Sequence, residues 1–199
     1  DADGHGTGVY RLEHLRYGHY TIRETKAPEG YELSNEVFTI DITEDGKTYT
    51  VSSSGFDGVA NRQQVGSIQV KKVDPEGNPL AGVSFLLEYS QDGKNWKSVT
   101  FREEGSLPEV GSCTSSGLKD GILTTAEDGI AMFSGLCISI GDNHIYYRLT
   151  ETAVPEGYTL LPEPAFEGEL PQDGSRDITV TAVNSSQYML PFTGNIGFT

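Results

Sequence analysis

The sequence predicts an all-β protein built from two-sheet β-sandwich modules in tandem, the first of them truncated. Three observations carry this reading. The 199 residues hold 24 glycines and 9 prolines, grouped in clusters that punctuate short runs of Val, Ile, Thr, Tyr and Phe. No stretch places its apolar residues at helical spacing. One segment of the chain also recurs, so a folding unit is present more than once. Apolar residues at 36 % and aromatics at 10 % are enough to build cores rather than a disordered chain.

Taken in order, the longer copy reads as strands over 67–73, 83–89, 130–133, 146–152 and 177–183, each rich in β-branched and aromatic residues. Between them stand Pro75-Glu-Gly-Asn78, Gln91-Asp-Gly-Lys94, Glu127-Asp-Gly129 and Gln172-Asp-Gly-Ser175, whose Gly and Asx residues accept the backbone angles of tight turns. Short strands joined in this way pack as two facing sheets.

The repeat defines the organisation. Gly18-His-Tyr-Thr-Ile-Arg-Glu-Thr-Lys-Ala-Pro-Glu-Gly-Tyr31 returns as Ile145-Tyr-Tyr-Arg-Leu-Thr-Glu-Thr-Ala-Val-Pro-Glu-Gly-Tyr158. Glu24, Pro28, Gly30 and Tyr31 match Glu151, Pro155, Gly157 and Tyr158 at one separation of 127 residues (151 − 24). Further on, Val59-Ala-Asn61 parallels Ala182-Val-Asn184. A long run beginning near Gly66 precedes Glu151, whereas only 23 residues precede Glu24, so the first copy is expected to lack its opening strands. The expected organisation is a truncated module over 1–63, a complete module over 66–185 and a tail over 186–199. The opening Asp1-Ala-Asp-Gly-His-Gly6 reads as a turn, and the chain is expected to be a piece of a longer protein.

Side-chain parity singles out three polar residues. Alternate residues of a strand face the same side, so Ile68, Val70 and Lys72 share one face of the first strand of the complete module. Tyr147, Leu149 and Glu151 share a face of the motif strand, and Ile178, Val180, Ala182 and Asn184 do so in the last. Each apolar row thus ends in one polar residue. A single such residue is explained by a strand leaving the core, or by a lysine reaching out to water. Three of them, with the glutamate and the asparagine repeated as Glu24 and Asn61, call for a shared chemistry.

That chemistry is an amide transfer. Burial disfavours charge on either an amine or a carboxyl, so both can sit neutral in an apolar pocket. A neutral Lys72 amine is a nucleophile, the Asn184 carboxamide is an electrophile, and a protonated Glu151 can polarise it and relay protons. The expected product is an isopeptide bond between the first and last strands. This is self-modification in a single turnover, not enzymatic turnover of a substrate.

The motif Tyr-x-x-x-Glu-Thr-x-x-Pro-Glu-Gly-Tyr, the Val70-Lys-Lys-Val-Asp74 strand with Pro79-Leu-Ala-Gly82 behind it, and the terminal Val-Asn resemble the Cna B-type, or SpaA-type prealbumin-like, modules of Gram-positive surface adhesins and sortase-assembled pilins. The resemblance covers nearly the whole chain. It implies an immunoglobulin-like, prealbumin-like sandwich in which a lysine, an asparagine and a glutamate form the isopeptide triad, here Lys72, Asn184 and Glu151. In the first copy Glu24 and Asn61 match, and the lysine position falls before residue 1, so no bond is expected there from this chain alone.

In the tail, Leu190, Pro191, Phe192, Thr193 and Gly194 resemble the Leu-Pro-x-Thr-Gly sorting signal, which a sortase cleaves between Thr and Gly before passing the threonine carbonyl to an amine. Only Asn195 to Thr199 follow, short of the apolar span and basic end of a full signal. Export, which the resemblance implies, places Cys113 and Cys137 in an oxidising setting. A disulfide tying the 105–121 insertion to the strand region after Phe133 is the favoured expectation, with two separate buried thiols as the alternative.

The remaining signals mostly exclude. Lys and Arg number 14 against 29 Asp and Glu, and a net charge of −15 would repel a nucleic-acid backbone. The four histidines show no ligand spacing, no metal or cofactor is expected, and Asp92 to Trp96 reads as a hairpin tip. The reading as a whole is a stalk or backbone subunit of a Gram-positive surface pilus, cell wall-anchored and extracellular. Its expected partners are sortase, neighbouring pilin subunits or peptidoglycan, and a host or extracellular-matrix ligand. A monomeric anchored adhesin with these modules as spacers, and accessory modules of a secreted enzyme, stand as alternatives.

Overall fold

The computed structural model describes residues 9–54 and 58–186, and every regular element among them is a strand. The chain divides into two compact units between Arg62 and Gln63. In the first unit, β1 (Gly18–Arg23) and β2 (Val37–Ile42) pair antiparallel, from Gly18 opposite Ile42 to Arg23 opposite Val37.

Among its described residues the second unit carries ten strands: β3 (Val65–Val73), β4 (Ser84–Ser90), β5 (Lys97–Ser98), β6 (Thr100–Phe101), β7 (Ser112–Cys113), β8 (Ile122–Thr124), β9 (Ile130–Cys137), β10 (Tyr146–Ala153), β11 (Phe166–Glu169) and β12 (Asp177–Val183). One sheet runs β11-β10-β4-β5 with β8 also on β4, and a second runs β12-β3-β9. The inward rows of both sheets meet in one core. Ile68, Val70, Phe133 and Ala182 come from one side, and Phe85, Leu87, Tyr147 and Leu149 from the other. This is the expected sandwich. The first and last strands, β3 and β12, are parallel neighbours in register from Ser67 opposite Asp177 to Val73 opposite Val183.

Two elements depart from simple alternation. β9 continues past the expected end at Phe133 to Cys137, because Gly135 takes a φ of 71° and a left-handed residue breaks the period-2 pattern without ending the strand. In the first unit the stretch matching β12 is not a strand among its described residues. In the second unit β12 pairs with β3 alone, and the first unit has no strand in the place of β3 among its described residues, so a backbone ladder has nothing to build on.

The expected disulfide is not formed. Cys113 and Cys137 are free thiols, both fully buried within the core cluster, where they pack as small apolar groups. Hydrogen bonds tie the insertion to β9 instead. The Arg102 guanidinium donates to Ser112 Oγ (3.0 Å) and the Gly135 carbonyl (3.0 Å), while Thr114 N donates to Ser134 O (2.8 Å) and Ser115 Oγ to Met132 O (2.7 Å). Burial pushes the Cys137 thiol up to about 11, which suppresses the reactive thiolate. In a thiol-titration assay, Cys113 and Cys137 are therefore expected to be unreactive in the native protein and to release two titratable thiols on denaturation without reductant.

Candidate functional site

Lys72 faces inward with Ile68 and Val70, and the structure buries it completely. Its neighbour Lys71 faces out. The position of Lys72 is held from both sides of its backbone: its N–H donates to Gly129 O (2.8 Å) and its carbonyl accepts from Leu80 N (3.0 Å). Gly129 must be glycine here, since its φ is 74° and a Cβ would lie 2.4 Å from the Lys72 carbonyl oxygen.

Parallel register then aims the amine. Lys72 stands opposite Ala182, two residues before Asn184 on the same face of β12. Its Nζ donates to Ala182 O (2.9 Å) and to Val73 O (3.1 Å), and Val73 O also accepts from the backbone N of Asn184 (3.3 Å). Asn184 is fully buried and Glu151 is 4 % exposed. The Asn184 amide donates to Glu151 Oε2 (2.8 Å) and to Thr159 O (2.9 Å), and Glu151 Oε2 also accepts from Leu161 N (2.9 Å). Glu151 Oε1 and Asn184 Oδ1 are buried with no hydrogen-bond partner among the described residues. Glu151 sits where the β10–β4 pairing slips, between Glu151 and Ala153, so the strand turns away just beyond it.

The sequence points to all three buried side chains; the structure joins Asn184 to Glu151 by a hydrogen bond and holds the Lys72 amine on the carbonyls of Ala182 and Val73. Sequence reasoning missed the main-chain contributors Thr159 and Leu161, since a carbonyl and an amide N–H leave no residue-type signature. The one available signal was the Pro155-Glu-Gly-Tyr158 turn, which brings the chain back over Glu151.

The first unit repeats half of this site. Asn61 Nδ2 donates to Glu24 Oε1 (2.9 Å) and Oε2 (2.7 Å) and to Glu32 O (3.1 Å), and Ser34 N donates to Glu24 Oε2 (2.7 Å). Both Glu24 and Asn61 are half-buried. Elsewhere, Asp92 to Asn95 close the expected hairpin between β4 and β5, and the guanidinium of Arg148 lies 4.3 Å over the Trp96 ring. The Leu190 to Gly194 motif lies outside the described residues.

Burial is the larger influence on the Lys72 amine and pushes its pKa below the ordinary value, with the Glu151 carboxylate opposing it in part. Burial thus favours the uncharged, nucleophilic form. The sign of the stability effect follows. In an Asn184→Ala variant the folded state binds the Lys72 proton less tightly than the unfolded chain. Stability is then full above the unfolded value of 10.5 and falls as pH drops from there to the lowered folded value. Denaturation midpoints across that range check this, and adding Lys72→Met to the same background is expected to remove that part of the slope.

Comparison with known proteins adds the family. A model of the SpaA prealbumin-like fold domain matches residues 2–55 and 66–186. No curated protein matches the chain. Among solved structures, the TIE protein of Bacillus anthracis is similar at 24 % identity and a TM-score of 0.57, over 86 % of this chain and 26 % of that one. GBS52, the minor pilin of Streptococcus agalactiae, is similar at 21 % identity and a TM-score of 0.44, over 90 % of this chain and 64 % of its own. The Corynebacterium diphtheriae major pilin SpaA is similar at 19 % identity and a TM-score of 0.44, over 81 % of this chain and 41 % of its own. The chain spans about a quarter of the length of the TIE protein. With a two-sheet sandwich and a family match that runs through both units, the chain belongs to the SpaA prealbumin-like fold domain family.

Proposed function

We propose that this chain is a load-bearing segment of a Gram-positive surface protein, a pilus stalk or backbone subunit, whose second unit cross-links itself through Lys72 and Asn184. The observation that carries the reading is the burial of the Lys72 amine near the end of β3, the Asn184 carboxamide just past β12 and the Glu151 carboxyl on β10. The family membership and the pilins among the similar structures are in keeping with it.

The step balances without a co-reactant. Lys72 Nζ attacks Asn184 Cγ and forms the new C–N bond. A proton on the Glu151 carboxyl assists the carbonyl as the tetrahedral centre forms. The Cγ–Nδ2 bond then breaks, and a proton from Nζ passes through Glu151 to Nδ2, so the amide nitrogen leaves as ammonia. Glu151 ends as it began. A buried amine that would be costly as a lasting charge becomes a neutral amide.

The mechanical consequence comes from topology. In a parallel pair, tension entering at the start of β3 and leaving at the end of β12 runs along β3 to Lys72, crosses the bond and exits at Asn184. Everything from Val73 to Val183 is bypassed. Treated as a cross-link closing 112 residues (184 − 72), the bond contributes roughly 4 to 5 kcal/mol through chain entropy. Resistance to force and proteolysis is the larger gain, because the two strands cannot peel apart.

In the first unit, Glu24 and Asn61 form the matching acid and amide. The Leu190 to Gly194 tail motif provides covalent attachment by a sortase, either to a neighbouring subunit or to peptidoglycan, and places the protein on the cell surface. Apart from the self-cross-linking step, the role is structural and not enzymatic.

Intact mass spectrometry tests the reading. The folded protein is expected to weigh less than its sequence by one ammonia. Lys72→Ala and Glu151→Ala should each restore the full mass, while Lys71→Ala, outward on the same strand, should not. Folded wild-type protein at its full sequence mass would sink the proposal.

A further inference from the structure

The repeated motif extends beyond the three reacting side chains, and its later part has a job of its own. After β10 the chain turns at Pro155 to Tyr158, where Tyr158 N donates to Pro155 O (3.3 Å) and Gly157 takes a φ of 91°. Tyr158 bridges to Ser186, and Thr159 N donates to Ser185 O (3.1 Å), which lays the returning chain along the end of β12. The Thr159 carbonyl then accepts from the Asn184 amide, and the Leu161 N–H donates to Glu151 Oε2.

The first unit builds the same device from different residues. Tyr31 N donates to Pro28 O (3.2 Å), Gly30 has a φ of 77°, and Glu32 N donates to Arg62 O (2.8 Å). Glu32 O holds the Asn61 amide and Ser34 N holds Glu24 Oε2. Thr159 corresponds to Glu32 and Leu161 to Ser34 at the 127-residue separation of the repeat (159 − 32, 161 − 34). The side chains differ in size and polarity, so the main chain carries the function. In this unit the acid and the amide are held together although neither of its lysines joins them: Lys26 is exposed and Lys47 pairs with Glu44.

We propose that the return segment over 155–161 is the positioning element of the isopeptide site, with Thr159 O and Leu161 N clamping Asn184 against Glu151 before the Lys72 amine is delivered. This rests on the isopeptide reading of the same site. The clamp fixes the carboxyl in hydrogen-bond reach of the amide it must activate, which is the proximity part of the rate. Docking of β3, with its lysine, is then the step that commits the module to the bond. Thr159 and Leu161 are positioning residues. They act through Glu151 and Asn184 and contribute no reacting atom.

The test separates the N–H from the side chain. Leu161→Pro deletes the donor in a segment that already continues into Pro162, and Leu161→Ala keeps the donor while losing the side chain. Ammonia loss is followed by mass in freshly synthesised chains of each. Leu161→Pro is expected to react about tenfold more slowly than Leu161→Ala, the worth of one hydrogen bond to a carboxyl. Equal rates in the two variants would overturn the proposal. The second measurement does not depend on that variant folding or on the bond forming. In Lys72→Met, hydrogen exchange of the Asn184 side-chain amide should be at least about tenfold slower than in free asparagine, because the clamp stands without the amine. Exchange as fast as free asparagine in that folded variant would overturn the clamp. A wild-type protein that loses no ammonia yet keeps Asn184 protected in Lys72→Met would instead overturn the isopeptide reading and leave the clamp standing.

Discussion

The burial of the Lys72 amine constrains everything around it. An ammonium taken wholly out of water is costly, and a lysine at the end of an inward row has to be discharged, paired or consumed. Here its hydrogens find two main-chain carbonyls, one on its own strand and one on β12. That geometry exists only if β3 and β12 are neighbours in parallel register. The sandwich, with its first and last strands side by side, is therefore the arrangement that lets the lysine stay inside.

The acid and the amide follow a different logic. Their contacts depend on a local loop, and the same loop occurs twice in the chain with the same three hydrogen bonds around the acid and the amide. In both copies the acid and the amide, 33 and 37 residues apart, are brought together under this loop. The lysine is supplied by long-range strand pairing. The site thus joins a half that is local to one half of the module with a reactive group that arrives from the other.

Much of this was legible in the sequence for particular reasons. Strict alternation in Ile68, Val70, Lys72 and in Tyr147, Leu149, Glu151 reports facing directly, because side chains in a strand have a period of two. The left-handed Gly135 hid the second half of β9, since it breaks that period while the backbone ladder continues. The cysteines were misread because spacing and redox setting carry no information on packing. Both thiols fill apolar space, and hydrogen bonds from Arg102, Thr114 and Ser115 hold the insertion where a disulfide was expected.

The sequence by itself determined the all-β class, the repeat, and the inward direction of Lys72, Glu151 and Asn184, since each depends on residue type and short-range period. Only the tertiary structure decided that Asn184 meets Glu151 and that the Lys72 amine is carried to the Ala182 carbonyl, two residues before Asn184. Which strands become neighbours, whether they run parallel, and which residue faces which are properties of pairing between segments about a hundred residues apart. The Thr159 carbonyl and the Leu161 N–H belong to that second class as well. Every residue carries such groups, so only their placement over Glu151 and Asn184 makes them part of the site.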